Sequence, residues 1–142
     1  MTMRYAIVGA VLVAIAMAWF VMAGRHAPPE GLDLSRSKFT EQRPYQVSME
    51  PESEPIEQGP LHSWIAAVES TDGTPMVDAT VAVDGGMPDH GHGLPTAPRA
   101  SNMGDGHYRI EGVRFNMSGW WELRLTIDGS KGEDVVVFNI ML

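Results

Sequence analysis

Residues 121–127 read Trp-Glu-Leu-Arg-Leu-Thr-Ile, with Trp121, Leu123, Leu125 and Ile127 apolar and Glu122, Arg124 and Thr126 polar. Strict alternation puts one class of side chain on each face of an extended chain, the mark of a strand with one buried face. The same period spreads outward from this stretch. Val136, Phe138, Ile140 and Leu142 carry it downstream, Val77, Ala79, Val81 and Val83 upstream, and Trp64, Ala66 and Val68 carry it less cleanly further back. Tyr108 and Ile110 share one phase, whereas Val113 and Phe115 take the other with Gly112 between them. A β-bulge at Gly112 is expected to keep all four inward. Tyr45, Val47 and Met49 supply a shorter first strand, and the expected core contains Trp64, Val81, Ile110, Phe115, Leu123 and Phe138.

Four Asp-Gly pairs, at 72–73, 84–85, 105–106 and 128–129, fall at or near the junctions of these runs. Glycine accepts the positive φ that tight turns need, so each is expected to mark a turn. No helical period follows residue 23. Six strands in about 100 residues, with one long loop, predict a small antiparallel β-sandwich of immunoglobulin-like type.

Between Arg4 and Arg25 lies YAIVGAVLVAIAMAWFVMAG, with no charge and no proline. About 20 such residues span a hydrocarbon core of roughly 30 Å, so one N-terminal transmembrane helix over 1–23 is expected. Val21-Met22-Ala23 also offers the small residues of a cleavage site, but signal cores run only about 7–15 apolar residues. Residues 24–40, with Pro28-Pro29 and Gly31, read as a tether, leaving 41–142 for the sandwich. Arg25, Arg36, Lys38 and Arg43 follow the hydrophobic run while only Arg4 precedes it, which by positive-inside counting favours a cytoplasmic domain. Long folded segments translocate largely regardless of such charges, and an external domain is the expectation taken here.

The chain has no cysteine and ten methionines, which excludes disulfides and thiolate metal sites. Residues 41–142 hold six basic against sixteen acidic side chains. That excess argues against nucleic acid as a partner, since affinity for a phosphate backbone comes largely from Lys and Arg.

The loop GGMPDHGHGLPTAPRASNMGD, residues 85–105, gathers Met87, His90 and His92 within six positions, with Met103 and His107 at its far end. If 90–92 is extended, both imidazoles project to one side. Thioether with imidazole suits copper, particularly Cu(I), better than hard cations. Zinc could take the two histidines with Asp89 but has no use for Met87 or Met103. The plainer alternative is that both methionines pack at the sandwich edge and the histidines belong to a solvated crossover.

MPDHGHGLPTAPR, followed by GDGHYRIEGVRFNMSGWWELRLTI, resembles the FixH-like and YtkA-like family of small membrane-anchored β-sandwich proteins of bacterial envelopes. The likeness covers about residues 61–141. It implies an external domain on one N-terminal anchor, in the periplasm at the inner membrane. Through FixH-type members it also implies copper handling and assembly of a haem–copper oxidase, with a respiratory oxidase or copper-transporter subunit as partner. Carried over by residue, it supports Met87, His90 and His92 as metal ligands and adds Met117, which precedes Gly119-Trp120-Trp121. His92 and Met103 also have the spacing of the first half of a PCuAC-type copper motif, but the second half, a later His-x-Met, is missing.

No catalytic motif is present: there is no Gly-x-Ser-x-Gly, P-loop or His-Glu-x-x-His. The expected role is therefore not enzymatic. It is either a copper-binding assembly factor or a metal-free domain that docks on a larger membrane complex. His62 is expected as an exposed strand residue, and one of Trp120 and Trp121 inside with the other out.

Overall fold

The structure, a computed structural model, describes residues 28–142; the expected membrane helix and residues 24–27 of the tether lie outside the described residues. A compact unit runs from Gly31 to Leu142. Its strands are β1 (Ser37–Phe39), β2 (Tyr45–Pro51), β3 (Leu61–Ser70), β4 (Thr80–Met87), β5 (His92–Gly93), β6 (Arg99–Gly104), β7 (His107–Arg114), β8 (Trp120–Gly129) and β9 (Gly132–Met141). All pairings are antiparallel, in two sheets ordered β1-β2-β3-β7-β6 and β5-β4-β8-β9. Among the described residues no helix is long and apolar enough to cross a membrane.

The inner faces of the two sheets share one core. Tyr45, Val47, Met49, Trp64, Tyr108 and Ile110 meet Trp121, Leu123, Leu125, Ile127, Val136 and Phe138 there, all essentially out of solvent. Burying a Val, Leu, Ile or Phe side chain contributes roughly 1.5–3 kcal/mol, so the alternating runs supply the driving force for closure. The two buried tyrosines keep partners for their hydroxyls: Tyr108 donates to the Met76 carbonyl at 2.5 Å and Tyr45 to that of Gly132 at 2.6 Å.

The bulge is where the phase change places it. Trp64 faces Ile110 and His62 faces Val113, so Glu111 and Gly112 together oppose Ser63, and Gly112 has φ of 83°. Tyr108, Ile110, Val113 and Phe115 are consequently all buried.

Other expectations are corrected. The run expected from Val77 starts as strand only at Thr80, leaving Val77 exposed, and Val81 is half-buried against the core. Asp84-Gly85 lies within β4 rather than in a turn, because β4 continues to Met87 along β8. The supposed long loop holds β5 and β6, and Ser37–Phe39 of the supposed tether is a strand paired with β2. His62 is buried rather than exposed: its Nε2 lies 2.8 Å from the Glu57 carbonyl and its ring packs beside Phe115.

Candidate metal centre

The β4–β5 connection is built by its own residues. Pro88 takes the second position of a turn in which the His90 N–H donates to the Met87 carbonyl at 3.1 Å, and proline's fixed φ suits that position. Gly91, at φ of 67°, then sends the chain back, and its N–H reaches the same carbonyl at 2.9 Å. Returning as β5, His92 faces Met87 and Gly93 faces Gly86. Gly86 must lack a side chain, since a Cβ there would overlap the His92 carbonyl oxygen.

The turn brings the two imidazoles together without the extended geometry assumed from the sequence. Their ring centroids are 5.8 Å apart and tilted by 31°. Imidazole nitrogen binds first-row ions at about 2 Å, so rings sharing one ion have centroids no more than about 6 Å apart, and this pair lies inside that limit. His92 Nδ1 lies 3.0 Å from the Gly93 carbonyl oxygen, which can only accept. That contact occupies Nδ1 and leaves Nε2 as the ring nitrogen turned to other partners.

Beneath the pair, the His92 ring meets Trp121 edge-on at 5.8 Å, and Trp121 meets Phe115 at 5.4 Å. The Trp121 indole N–H donates to the Met117 carbonyl at 3.0 Å, fixing the turn before β8 beside the hairpin. Met87 is 2 % exposed, and its methyl group reaches toward Gly119, where an added Cβ would come within 3.3 Å. Alongside, a cavity of about 300 Å³ is lined by Gly86, Met87, His92, Glu122 and Arg124 among others.

Met87, His90 and His92 are thus assembled at one end of the sandwich, with the Met117 backbone beside them. Met103 is not. It lies between Asn102, opposite Tyr108, and Gly104, opposite His107, at the start of β7, whereas Phe115 and Met117 follow the end of that strand. Eight residues of β7 separate the two ends, about 25 Å at strand rise. The 85–105 segment puts Met103 at the wrong end because it is largely strand, not loop.

Among the described residues no three His, Asp or Glu side chains are grouped closely enough to hold an ion. Met87 is the thioether that the ladder sets opposite His92. Trp121 as the floor of the site and Gly86 as its close-packed seat were not read from the sequence. The Gly85-Gly86 doublet beside the His-x-His was the available signal, but only the β4–β5 register gives it meaning. The clearly shifted acids lie elsewhere: Ser35 hydrogen bonds hold Asp33 at about 2, and the Ser70 hydroxyl leads in holding Asp72 at about 2.

A family profile described as YtkA-like matches residues 39–126, which include the whole hairpin. Among solved structures, the chain is similar to a DUF4426 family protein from Pseudomonas aeruginosa PAO1, at 11% identity with a TM-score of 0.54. The match covers 75% of this chain and 94% of that one, and at this identity it speaks to the fold alone. No curated protein matches the chain.

Proposed function

The chain belongs to the YtkA-like family, and from that membership we propose that it is a membrane-anchored, periplasm-facing protein that binds Cu(I) and serves metal handling or assembly of a respiratory membrane complex. The observation that carries the reading is the His90–His92 pair at 5.8 Å with Met87 across the ladder from His92. Two imidazoles and a thioether form a soft donor set that suits Cu(I) and gives zinc or magnesium little advantage. Copper, when bound, would be held by His90, His92 and Met87, with Met117 beside them through its carbonyl on the Trp121 indole. The role is binding rather than catalysis.

Two finer readings accompany this one. Residues 5–23 act as a single membrane anchor, supported by their length and lack of charge. The sandwich is immunoglobulin-like: with β1 and β5 set aside, the orders β2-β3-β7-β6 and β4-β8-β9 correspond to the ABED and CFG sheets of constant-type domains.

Titration of the full chain in detergent with Cu(I), against a competing chelator, tests the proposal. The parent is expected to take up one ion, and the His90→Ala/His92→Ala variant to lose at least a hundredfold in affinity while keeping its near-ultraviolet circular dichroism. Undiminished affinity in the double variant, or no uptake by the parent, would overturn the copper reading. The metal-free docking domain would then replace it.

A further inference from the structure

We infer that this chain pairs with a second copy of itself along the open edge of β4, joining two four-stranded sheets across a two-fold axis at Ala82. The inference stands apart from both the copper reading and the anchor.

β4 is paired with β8 from Thr80 to Gly86, but on its other side β5 meets only Gly86 and Met87. The Leu94 N–H adds one bond, to the Gly85 carbonyl at 2.9 Å, so the Gly85 backbone faces away from β8. Alternate residues of a strand turn their N–H and C=O to the same edge, and Val83 and Val81 therefore face outward too. Among the described residues no hydrogen bond reaches these four groups. The other edges are guarded. Along β9 the Val135 carbonyl accepts the Glu41 N–H at 2.8 Å, and Asn139 holds the Asp33 carbonyl. β1 has only three residues, and β6 opens with Arg99 after Pro98 and shifts register between Asn102 and Gly104. Charges, prolines, bulges and short length are the usual protection of an exposed edge. Thr80-Val81-Ala82-Val83 has none of them.

The symmetry of the opening identifies what fills it. Gly85 is taken by Leu94, and Ala79, ahead of the strand, is buried in the core. The open window is therefore Thr80 to Asp84, centred on Ala82. A second copy running antiparallel about that centre sets Val81 opposite Val83 and Val83 opposite Val81, and each such pair exchanges both of its backbone bonds. Moving the axis to either valine sets the other against Ala79 or Gly85 and loses half of those bonds. With the axis at Ala82, Thr80 faces Asp84, so a hydroxyl donor meets a carboxylate and no acid faces an acid. Asp84 Oδ1 already accepts the Gly85 N–H at 2.7 Å, which leaves Oδ2 for that hydroxyl. The exposed Ala82 side chains meet at the axis without bulk. The incoming valines point to the core side, as their partners do. They enter a groove of about 390 Å³ lined by Val81, Val83, Pro98 and Ala100 among others.

The chain has no cysteine, so single cysteines report the pairing in the full chain in detergent. Ala82 turns its own backbone groups to β8, and residues paired in that way across a ladder have Cα atoms about 4.5 Å apart, within disulfide reach. Under oxidised glutathione, Ala82→Cys is expected to cross-link at least tenfold faster than Thr80→Cys, whose two copies lie about 13 Å apart along the ladder. The same margin is expected over Thr126→Cys, one strand further in. Mixed Thr80→Cys and Asp84→Cys chains should join to each other. In sedimentation the parent is expected as a dimer, and Ala82→Lys, with unchanged circular dichroism, to dissociate at least tenfold more readily. Cross-linking of Thr126→Cys as fast as Ala82→Cys would overturn the inference in favour of face-to-face contact. A dimer that Ala82→Lys leaves intact would overturn it as well, since its contacts would lie elsewhere. A parent that sediments as a monomer throughout would also overturn it and leave the edge to a strand of another protein.

Discussion

Gly86 and Gly91 sit five residues apart in one hairpin, yet they answer to different constraints. At Gly86 the obstacle is the His92 carbonyl, so Gly86→Ala must push β5 away from β4 and carry the His92 ring off Trp121. Its Cu(I) affinity is expected to fall at least tenfold in the chelator competition. At Gly91 there is open space and the demand is the left-handed φ of 67°. Gly91→Ala should cost about 1 kcal/mol in urea unfolding, and Gly91→Asn less, because asparagine tolerates that region better. His107 is a control of another kind. Like Met103, it stands at the far end of β7, and His107→Ala or Met103→Leu should leave the titration unchanged.

Strands with one buried face answer to core packing. Leu123→Ala should lose roughly 2–5 kcal/mol and Phe138→Ala about 3–5 kcal/mol in urea unfolding. Substitutions at Arg124, on the outer face of β8, should stay within about 0.5 kcal/mol. At the head of β9, Asp134 Oδ2 accepts the Gln42 N–H at 2.8 Å and joins the two sheets near the β1–β2 connection. Burial works to raise its pKa, but hydrogen bonds from Thr40, Gln42 and Val135 outweigh it, and the value lies below the ordinary 3.8. A depressed folded value means the stabilisation is complete above 3.8 and is lost as pH falls through the folded value. Asp134→Asn should therefore be less stable than the parent at neutral pH, with the gap closing in acid unfolding below pH about 4. The elements legible in the sequence are those whose side chains alternate between core and solvent: β2, β3, β7 with its bulge, β8 and β9. β1, β5 and β6 left no trace because they are short, almost wholly exposed edge pieces held by ladder hydrogen bonds. The clustering of Met87, His90 and His92 was legible for the same reason that Met103 misled. Proximity in sequence equals proximity in space within one tight turn, but not across a strand that runs the length of the molecule.

For the whole molecule, flotation of the full chain on sucrose gradients with phosphatidylcholine vesicles, set against residues 28–142 remaining in the dense fraction, is the expected result of anchoring by the N-terminal run. Comigration of the shorter fragment would place the attachment in the sandwich itself. The fold also sorts the methionines of the described residues: Met49, Met76 and Met87 are enclosed, whereas Met103, Met117 and Met141 are open, Met103 most of all at 57%. Peroxide attacks thioethers it can reach, converting an apolar, copper-loving sulfur into a polar sulfoxide. Brief treatment should therefore modify Met103 well before Met87, as peptide mapping would show. An oxidant would thus wear down the decorative sulfurs first and leave the one that faces His92 in its reduced form.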